Sequence, residues 1–376
     1  MKAMKPRQLG NLTVSEIGMG CMGFSHGYGP VPERDYSIAA IRQAFEYGCT
    51  FFDTAEVYGT EQFYPGHNEQ LVGAALEPLR KQVVLASKLH FTDSNIPPVS
   101  GDLDTVTAAT AAATAEGKDS GNSVLLMPLA ALDQAYLDSI YDILKRHLIK
   151  SLENLRTDYL DLYYLHRLHD FIPVQAVAWG MGRLKQEGFI LGWGLSQVTR
   201  EVIAAAHEVT PVNAVQNLYS MLERDCESEV EPFCLEHNIG LVSFSPIASG
   251  LLSGKVTVNT DFSAADDVRK FVPQLSAENI KGNQPILELI QRYADLKQAT
   301  PAQISLAWML HKYPNVVPIP GSKNQERIQE NLQADRVCLT RSEFNELETA
   351  LNACTVYGHR GINESQQRSF GNNWKK

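Results

Sequence analysis

The chain has 376 residues, of which 44% are hydrophobic and 20% are charged, a composition that is ordinary for a folded globular protein. Its formal net charge of −10 argues against nucleic acid or an anionic membrane surface as the main partner. We expect neither a secretory signal peptide nor a membrane span, because no stretch of the sequence has the required apolar core. The six cysteines form no CxxC pair, which favours free thiols in the reducing cytoplasm.

Short apolar runs alternate with amphipathic segments along most of the chain. Eight of the runs are predicted to be strands, at residues 14–20, 50–53, 82–88, 159–166, 189–196, 213–220, 239–246 and 316–322. The segment 33–48 is typical of the intervening helices, since Ile38, Ile41 and Phe45 recur at the spacing of one buried helix face. Buried strands separated by helices predict an α/β fold, a closed parallel (β/α)8 TIM barrel rather than an open doubly wound sheet.

One segment interrupts this alternation. Residues 91–131 have a low-complexity middle that is rich in Ala, Thr, Gly and Ser. They follow the third predicted strand, so we expect a long insertion on the catalytic face of the barrel. A lid over the site and a passive surface insertion both remain open. We expect a single domain over residues 1–376, with residues 352–376 as a C-terminal tail.

The first predicted strand ends in glycines, Gly18 to Gly23, that fit the G-x-G-x-x-G dinucleotide fingerprint. That fingerprint requires a helix directly after the glycines. Here residues 24–32 intervene with further glycines and prolines, and Asp53 lies farther along the chain than the ~20 residues typical of the acidic partner. We therefore predict that these glycines let a barrel loop pass close to a ligand.

Polar residues end three successive predicted strands. Asp53 ends the second strand, with Tyr58 in the following loop, Lys88 ends the third strand, and His166 ends the fourth. Catalytic groups of a TIM barrel lie at the C-terminal strand ends, so these four side chains are expected to meet at one mouth. There Lys88 would lower the pKa of Tyr58, Asp53 would balance the lysine charge, and His166 would hydrogen-bond a carbonyl oxygen. Each residue alone has an ordinary structural explanation; the combination predicts proton donation to a carbonyl.

Segments spread over nearly the whole chain resemble the aldo-keto reductase superfamily, most closely its bacterial aryl-alcohol-dehydrogenase-like branch. The matching segments are GMGCMGFSHGYG, FFDTAEVYG, SLENLRTDYLDLYYLHR, GFILGWGLS, AVQNLYS, SFSPIASGLLSGK and VPIPGSKNQERIQEN. The resemblance implies that Tyr58 is the general acid and that Asp53, Lys88 and His166 complete a catalytic tetrad. It is specific for fold and cofactor and indicates little about the substrate.

The resemblance also implies an extended NADPH or NADP+ molecule across the same face. Ser196, Gln197 and Gln216 would then hydrogen-bond the nicotinamide carboxamide, and Phe244 would stack on the ring. The remaining implied cofactor residues are Ser245, Pro246, Ile247, Ser249, Gly250, Gly321, Ser322, Lys323, Arg327, Glu330 and Asn331. Among these, Ser322, Lys323 and Arg327 are expected to meet the 2′-phosphate, beside a helix N-terminus near Asn324.

The sequence thus predicts the reversible, NADPH-dependent reduction of aldehydes or ketones to alcohols. The partner would be a small-molecule carbonyl or alcohol substrate, with no metal, nucleic acid or membrane. The alternative is an NADPH-binding regulatory subunit with little turnover. Ion-channel subunits of that kind carry an N-terminal extension, for which a first strand near Val14 leaves no room. An isomerase or hydrolase on the same fold would not need the phosphate-binding residues of the eighth strand.

The sequence does not specify the substrate, the direction of the reaction in the cell or the oligomeric state. Five residues are candidates for a pocket that accepts aromatic or sugar-like carbonyls: Phe24, His26, Tyr28, Phe91 and Tyr219.

Overall fold

The computed structural model describes residues 4–91, 96–100, 126–169 and 172–361. Within these ranges a two-stranded antiparallel hairpin precedes one eight-stranded parallel sheet whose strands are ordered as they occur in the chain. The hairpin strands are β1 (Pro6–Leu9) and β2 (Leu12–Ser15). The sheet strands are β3 (Met19–Gly20), β4 (Phe51–Asp53), β5 (Val84–Leu89), β6 (Leu160–Leu165), β7 (Ile190–Ser196), β8 (Ala214–Leu218), β9 (Gly240–Phe244) and β10 (Val316–Pro318).

The sheet closes on itself where its first and last strands meet. The backbone N–H of Gly18 donates a 2.9 Å hydrogen bond to the carbonyl of Pro318, which joins β3 to β10. A Cβ atom at Gly20 would lie 3.0 Å from the carbonyl oxygen of Ile319, so a glycine is needed where the two strands approach. The chain therefore forms the predicted (β/α)8 barrel. The G-x-G-x-x-G match serves in part to close it, and a short 3-10 turn, Met22–Phe24, follows instead of an α-helix.

The first predicted strand is wrong in its extent. Residues 14–20 do not form one strand, because Val14 and Ser15 pair with β1 in the hairpin while only Met19–Gly20 joins the barrel. The hairpin fills the amino-terminal end of the barrel with Leu9 and Leu12, which pack in the interior against Phe51. This end of the described barrel is therefore closed and apolar. The polar residues at the opposite strand ends face the other, open end.

Helices cover the outside of the sheet. They are α1 (Arg34–Glu46), α2 (His67–Leu76), α3 (Gln134–Leu155), α4 (Val174–Gln186), α5 (Arg200–Val209), α6 (Val230–Glu236), α7 (Ala277–Gly282), α8 (Gln284–Lys297), α9 (Pro301–Lys312), α10 (Gln325–Leu332) and α11 (Arg341–Asn352). Their starts follow ordinary capping rules. For example, the side chain of Asp133 accepts the N–H of Tyr136 at 2.7 Å, and Thr300 forms a capping box with Gln303.

The two irregular regions of the sequence are described in part. Of the predicted insertion at residues 91–131, residues 92–95 and 101–125 lie outside the described residues. Its described end packs on the barrel, since the N–H of Met127 donates to the side chain of Gln175 at 3.2 Å. The beginning of the predicted tail folds back on Asn283, whose side chain exchanges two hydrogen bonds with the backbone of Tyr357. In the described ranges, no helix combines the length and the apolar character needed to cross a membrane.

Candidate active site

Three neighbouring strand ends bring the predicted tetrad together. Asp53 is the last residue of β4, Lys88 lies at the end of β5, and His166 directly follows β6. The N–H of His166 donates to the carbonyl of Leu89 at 2.8 Å, so the ladder continues to that residue. Tyr58 comes from the loop after β4, which is held to the sheet by the N–H of Glu56 and the carbonyl of Lys88 at 3.2 Å. The structure thus places the four predicted side chains at one mouth.

The ammonium group of Lys88 is the centre of the site. Lys88 is fully buried, and its Nζ lies 2.5 Å from Oδ1 of Asp53, 2.7 Å from the carbonyl oxygen of Thr54 and 3.4 Å from the hydroxyl of Tyr58. The other carboxylate oxygen of Asp53 accepts the side-chain amide of Gln216 at 2.8 Å. Burial lowers the pKa of Lys88, but Asp53 and Tyr58 raise it by more, so the lysine stays charged.

Tyr58 and His166 form the upper part of the site. Their rings meet edge to face, with centroids 5.7 Å apart. Nδ1 of His166 is buried and has no hydrogen-bond partner among the described residues. Burial, together with the neighbouring charges of Arg167 and Lys88, holds the pKa of His166 well below its usual value. The imidazole is therefore neutral.

The pKa of Tyr58 differs from the sequence-based expectation. Burial raises it, and although Lys88 lowers it as expected, burial is the larger effect in the protein alone. Tyr58 consequently keeps its proton at neutral pH. That is the protonation state which a proton donor needs.

A cavity of about 480 Å³ opens above these residues. Of the residues predicted for catalysis or cofactor binding, only Lys88 does not line this cavity, because it is fully buried beneath the cavity floor. The predicted residues that line it are Asp53, Tyr58, His166, Ser196, Gln197, Gln216, Phe244, Ser245, Pro246, Ile247, Ser249, Gly250, Gly321, Ser322, Lys323, Arg327, Glu330 and Asn331. Residues that are far apart in the chain therefore share one cavity.

The three residues predicted to hold the carboxamide already make side-chain hydrogen bonds within the protein. Gln197 has a left-handed backbone with φ 58°, and its side-chain oxygen accepts the N–H of Leu218 at 3.3 Å. Gln216 is bound to Asp53, and the hydroxyl of Ser196 accepts a hydrogen bond from Arg167 at 3.1 Å. The O–H of Ser196 makes no hydrogen bond to an acceptor among the described residues.

The loop after β9 carries unusual backbone conformations. Ser245, Ala248 and Ser249 have φ values of 51°, 46° and 55°, in the left-handed region that non-glycine residues rarely adopt. Oγ of Ser249 is also buried without a hydrogen-bond partner among the described residues. Strain of this kind concentrates at ligand-binding sites, where it is offset by the surrounding structure.

The far end of the cavity lies at the start of α10. Asn324 caps this helix, and its side-chain oxygen accepts the N–H of Arg327 at 2.9 Å, as the predicted helix start requires. The side chain of Arg327 is exposed and makes no ion pair with the residues that the structure describes. Glu330, predicted to meet the adenine, is paired with Lys255 at 2.9 Å.

Lys323, which is predicted to meet the 2′-phosphate, makes hydrogen bonds within the protein. Its Nζ donates to the carbonyl of Tyr28 at 2.8 Å and also to that of Pro30. The residue thus anchors the loop that follows β3. Two of the three N–H donors of its ammonium group are thereby engaged by backbone carbonyls.

The predicted substrate residues divide into two groups. His26 and Tyr28 line the cavity. Phe24, Phe91 and Tyr219 are buried in the core and do not line it. Tyr219 points outward to the helical layer, where its hydroxyl donates to Glu227 at 2.7 Å.

Several cations of the cavity were missed in the sequence: Arg167, Lys255, Arg269 and Arg360. Only Arg167 has a sequence feature that indicates a place in the site, because it directly follows His166 at a predicted catalytic strand end. No group of His, Cys, Asp and Glu residues in the described ranges is arranged to hold a metal ion.

Comparisons with known proteins identify relatives of this chain. A model of the aldo/keto reductase family matches residues 16–352. The probable aldo-keto reductase 1 of Glycine max is 33% identical over 364 residues, which cover 96% of this chain and 92% of that protein.

Solved structures share the fold over nearly the whole chain. A thermostable aldo-keto reductase, crystallised with the inhibitor epalrestat, is 25% identical with a TM-score of 0.65, covering 92% of this chain and 100% of that one. The glycerol dehydrogenase AKR11B4 from Gluconobacter oxydans is 23% identical with a TM-score of 0.72, covering 94% and 97%. An aldo-keto reductase from Klebsiella pneumoniae in complex with NADPH is 24% identical with a TM-score of 0.63, covering 96% and 99%. The last two likenesses concern the fold alone.

Proposed function

The chain belongs to the aldo/keto reductase family, and we propose that it catalyses the reversible, NADPH-dependent reduction of an aldehyde or ketone with Tyr58 as general acid. One observation carries the role of Tyr58. Its hydroxyl lies 3.4 Å from a fully buried lysine that is itself paired with Asp53, at the floor of a cavity large enough for a ligand. A buried ion pair is costly to maintain, and beside a phenol in a cleft it supports proton transfer.

The residues of the cavity fit a nicotinamide nucleotide. The unpaired Oγ of Ser249, the strained backbone around it and the helix start at Asn324 suit an anionic group. Ser196 and Gln216 would hold the carboxamide, Phe244 would lie on the ring, and the loop from Ser245 to Gly250 would meet the pyrophosphate.

The 2′-phosphate would lie near Ser322 and Arg327. The exposed guanidinium of Arg327 offers a planar fork that binds phosphate oxygens in pairs. Glu330 and Asn331 would border the adenine. Lys323 is assigned a different role, because its ammonium holds the loop at Tyr28.

The bound cofactor would supply the hydride that adds to the carbonyl carbon. The proton for the carbonyl oxygen comes from the hydroxyl of Tyr58, and the resulting phenolate is stabilised by the adjacent ammonium of Lys88. Asp53 keeps Lys88 charged, and neutral His166 hydrogen-bonds the carbonyl oxygen and orients it. In the reverse direction the phenolate accepts the proton, so alcohol oxidation is favoured as pH rises.

A regulatory subunit that binds NADPH with little turnover is the competing function. Binding alone would not require the buried Lys88–Asp53 pair beside Tyr58, so the site supports turnover. Mixing the protein with NADPH and a panel of aldehydes and ketones tests this. We expect the absorbance of the reduced nicotinamide to fall with at least one carbonyl. NADPH binding without turnover on any of them would favour the regulatory function.

We further propose that residues 1–376 act as one domain and that the protein works in the cytoplasm. The described residues build a single barrel with its covering helices. All six cysteines are free thiols, which suits a reducing compartment.

A further inference from the structure

Arg167 links two parts of the site that come from different strands. It follows His166, lines the cavity and is largely withdrawn from solvent. Its Nη1 donates to the carbonyl oxygen of His166 at 2.5 Å and to Oγ of Ser196 at 3.1 Å. One guanidinium nitrogen therefore joins the strand end that carries His166 to the strand end that carries Ser196, which is proposed to bind the carboxamide.

We propose that Arg167 is a positioning residue of this reaction, which directs the hydroxyl of Ser196 to the nicotinamide carboxamide and adds a positive charge beside Tyr58. This inference rests on the proposed function. It goes beyond the tetrad, because it assigns a cation that touches neither the carbonyl group nor the Lys88–Asp53 pair.

The first role follows from the donor and acceptor capacity of the two groups. A serine hydroxyl has one proton to donate and lone pairs to accept, whereas an arginine side chain only donates. The bond from Arg167 to Ser196 must therefore use a lone pair of Oγ. The proton of Ser196 is left for an acceptor in the cavity, and a carboxamide oxygen is such an acceptor. Without Arg167 the hydroxyl is free to rotate and to turn its lone pairs inward.

The second role follows from the charges around Tyr58. The titratable and charged groups that face it are Asp53 from β4, Lys88 from β5, and His166 and Arg167 after β6, with His26 and Glu61 farther along the cavity wall. Lys88 and Asp53 form a pair with no net charge, and His166 is neutral. Arg167 is thus the nearby cation that is not balanced by a described carboxylate, and its charge favours the phenolate of Tyr58.

Two substitutions separate these roles. Arg167→Gln removes the charge. Arg167→Lys keeps the charge but replaces the planar fork, so the bonds to His166 and Ser196 are lost or weakened. We expect Arg167→Gln to move the pH midpoint of alcohol oxidation upward by ~0.5–1 unit, while Arg167→Lys leaves the midpoint near that of the wild type.

Cofactor affinity tests the hydroxyl orientation without any turnover. Binding of NADP+, followed by protein fluorescence, should weaken ~3- to 10-fold in Arg167→Lys and by a similar factor in Ser196→Ala. The double variant should bind no worse than Ser196→Ala, because both changes remove the same contact. Arg292→Gln, at an exposed position of α8, is the matched control and should change neither property.

The outcomes are distinct from a failure of the proposed function. A wild-type protein that turns over no carbonyl would end the proposed function, and the binding cycle would still decide the hydroxyl orientation. Additive effects of Arg167→Lys and Ser196→Ala on NADP+ binding would overturn the first role. An unchanged pH midpoint in folded Arg167→Gln would overturn the second role, the effect of the charge on Tyr58. If Arg167→Gln does not fold, Arg167→Lys provides the test, and a rise of ~0.5–1 unit in its pH midpoint would overturn the second role.

Discussion

The ammonium group of Lys323 donates a 2.8 Å hydrogen bond to the backbone carbonyl of Tyr28, which lies 295 residues earlier in the chain. A residue in the loop after the last barrel strand therefore holds the loop that follows the first barrel strand. Tyr28 lines the cavity and forms a β-bridge with Asp267, so this contact helps to shape one wall of the proposed cofactor site.

Replacement of Lys323 by methionine should loosen this wall for any nicotinamide nucleotide. We expect Lys323→Met to weaken NADPH and NADH by similar factors of ~3- to 10-fold, because the lost hydrogen bonds involve the loop and not the phosphate. Equilibrium titration with both cofactors checks this. A loss confined to NADPH would show that the ammonium leaves the loop to bind the 2′-phosphate.

Replacement of Arg327, unlike that of Lys323, should affect the two cofactors unequally. Its exposed guanidinium is proposed to bind the 2′-phosphate, which only NADPH carries. We expect Arg327→Ala to weaken NADPH by ~10- to 150-fold, the loss of a charge-assisted contact, and to change NADH little. Equal losses for the two cofactors, or a wild-type preference for NADH, would contradict the assignment.

The buried pair of Lys88 and Asp53 makes a prediction about stability. Lys88→Met leaves a buried carboxylate without its counter-charge, which typically costs ~3–5 kcal/mol in the free energy of unfolding. The double variant Lys88→Met/Asp53→Asn should recover most of that loss, since an uncharged side chain at residue 53 still accepts the hydrogen bond from Gln216. Chemical denaturation at neutral pH measures both. A double variant as unstable as the single one would mean that the loss comes from packing.

Glu223 should make stability depend on pH. Burial raises the pKa of this carboxyl from 4.5 to about 8, although it accepts the N–H of Arg360 and the amide of Gln274. Between these two values the folded state holds a proton that the unfolded state has released. The stability that the protonated group contributes is therefore complete below pH 4.5 and is lost as pH rises to about 8.

Glu223→Gln removes this dependence. We expect the variant and the wild type to have similar free energies of unfolding near about pH 5, and the variant to be more stable by at least ~1 kcal/mol near about pH 9. Denaturant titrations at the two pH values provide the measurement. Parallel losses of stability in the two proteins between those values would contradict the assignment of the titration to Glu223.

The barrel could be predicted from the sequence because its strands are buried on both faces and therefore appear as continuous apolar runs. Asp53, Lys88 and His166 follow such runs directly, so their meeting at one mouth follows from the parallel topology. The extent of the first strand could not be predicted. The run at residues 14–20 is continuous in composition, and only the pairing of Ser15 with Pro6 shows that it is divided between hairpin and barrel.

Contacts between distant loops account for most of the remaining differences. Lys323 and Arg327 look alike in the sequence as cations near a helix start, yet one is bound to backbone carbonyls across the cavity and the other is exposed. Tyr219 follows a strand, as the site residues do, but its side chain points outward, and composition does not show that direction. The pKa of Tyr58 depends on how deeply it is buried, which its spacing from Asp53 does not indicate.

The most direct test of the proposed mechanism removes one oxygen atom. Tyr58→Phe keeps the ring and loses the hydroxyl that is proposed to protonate the carbonyl. Tyr136→Phe is its control, since Tyr136 is also buried but lies on α3, and its hydroxyl has no hydrogen-bond partner among the described residues. On a carbonyl that the wild type reduces, kcat should fall at least ~100-fold in Tyr58→Phe, with NADPH affinity within about twofold of wild type. Tyr136→Phe should retain wild-type turnover. A Tyr58→Phe enzyme that keeps more than about a tenth of the wild-type kcat would contradict the assignment of Tyr58 as the general acid.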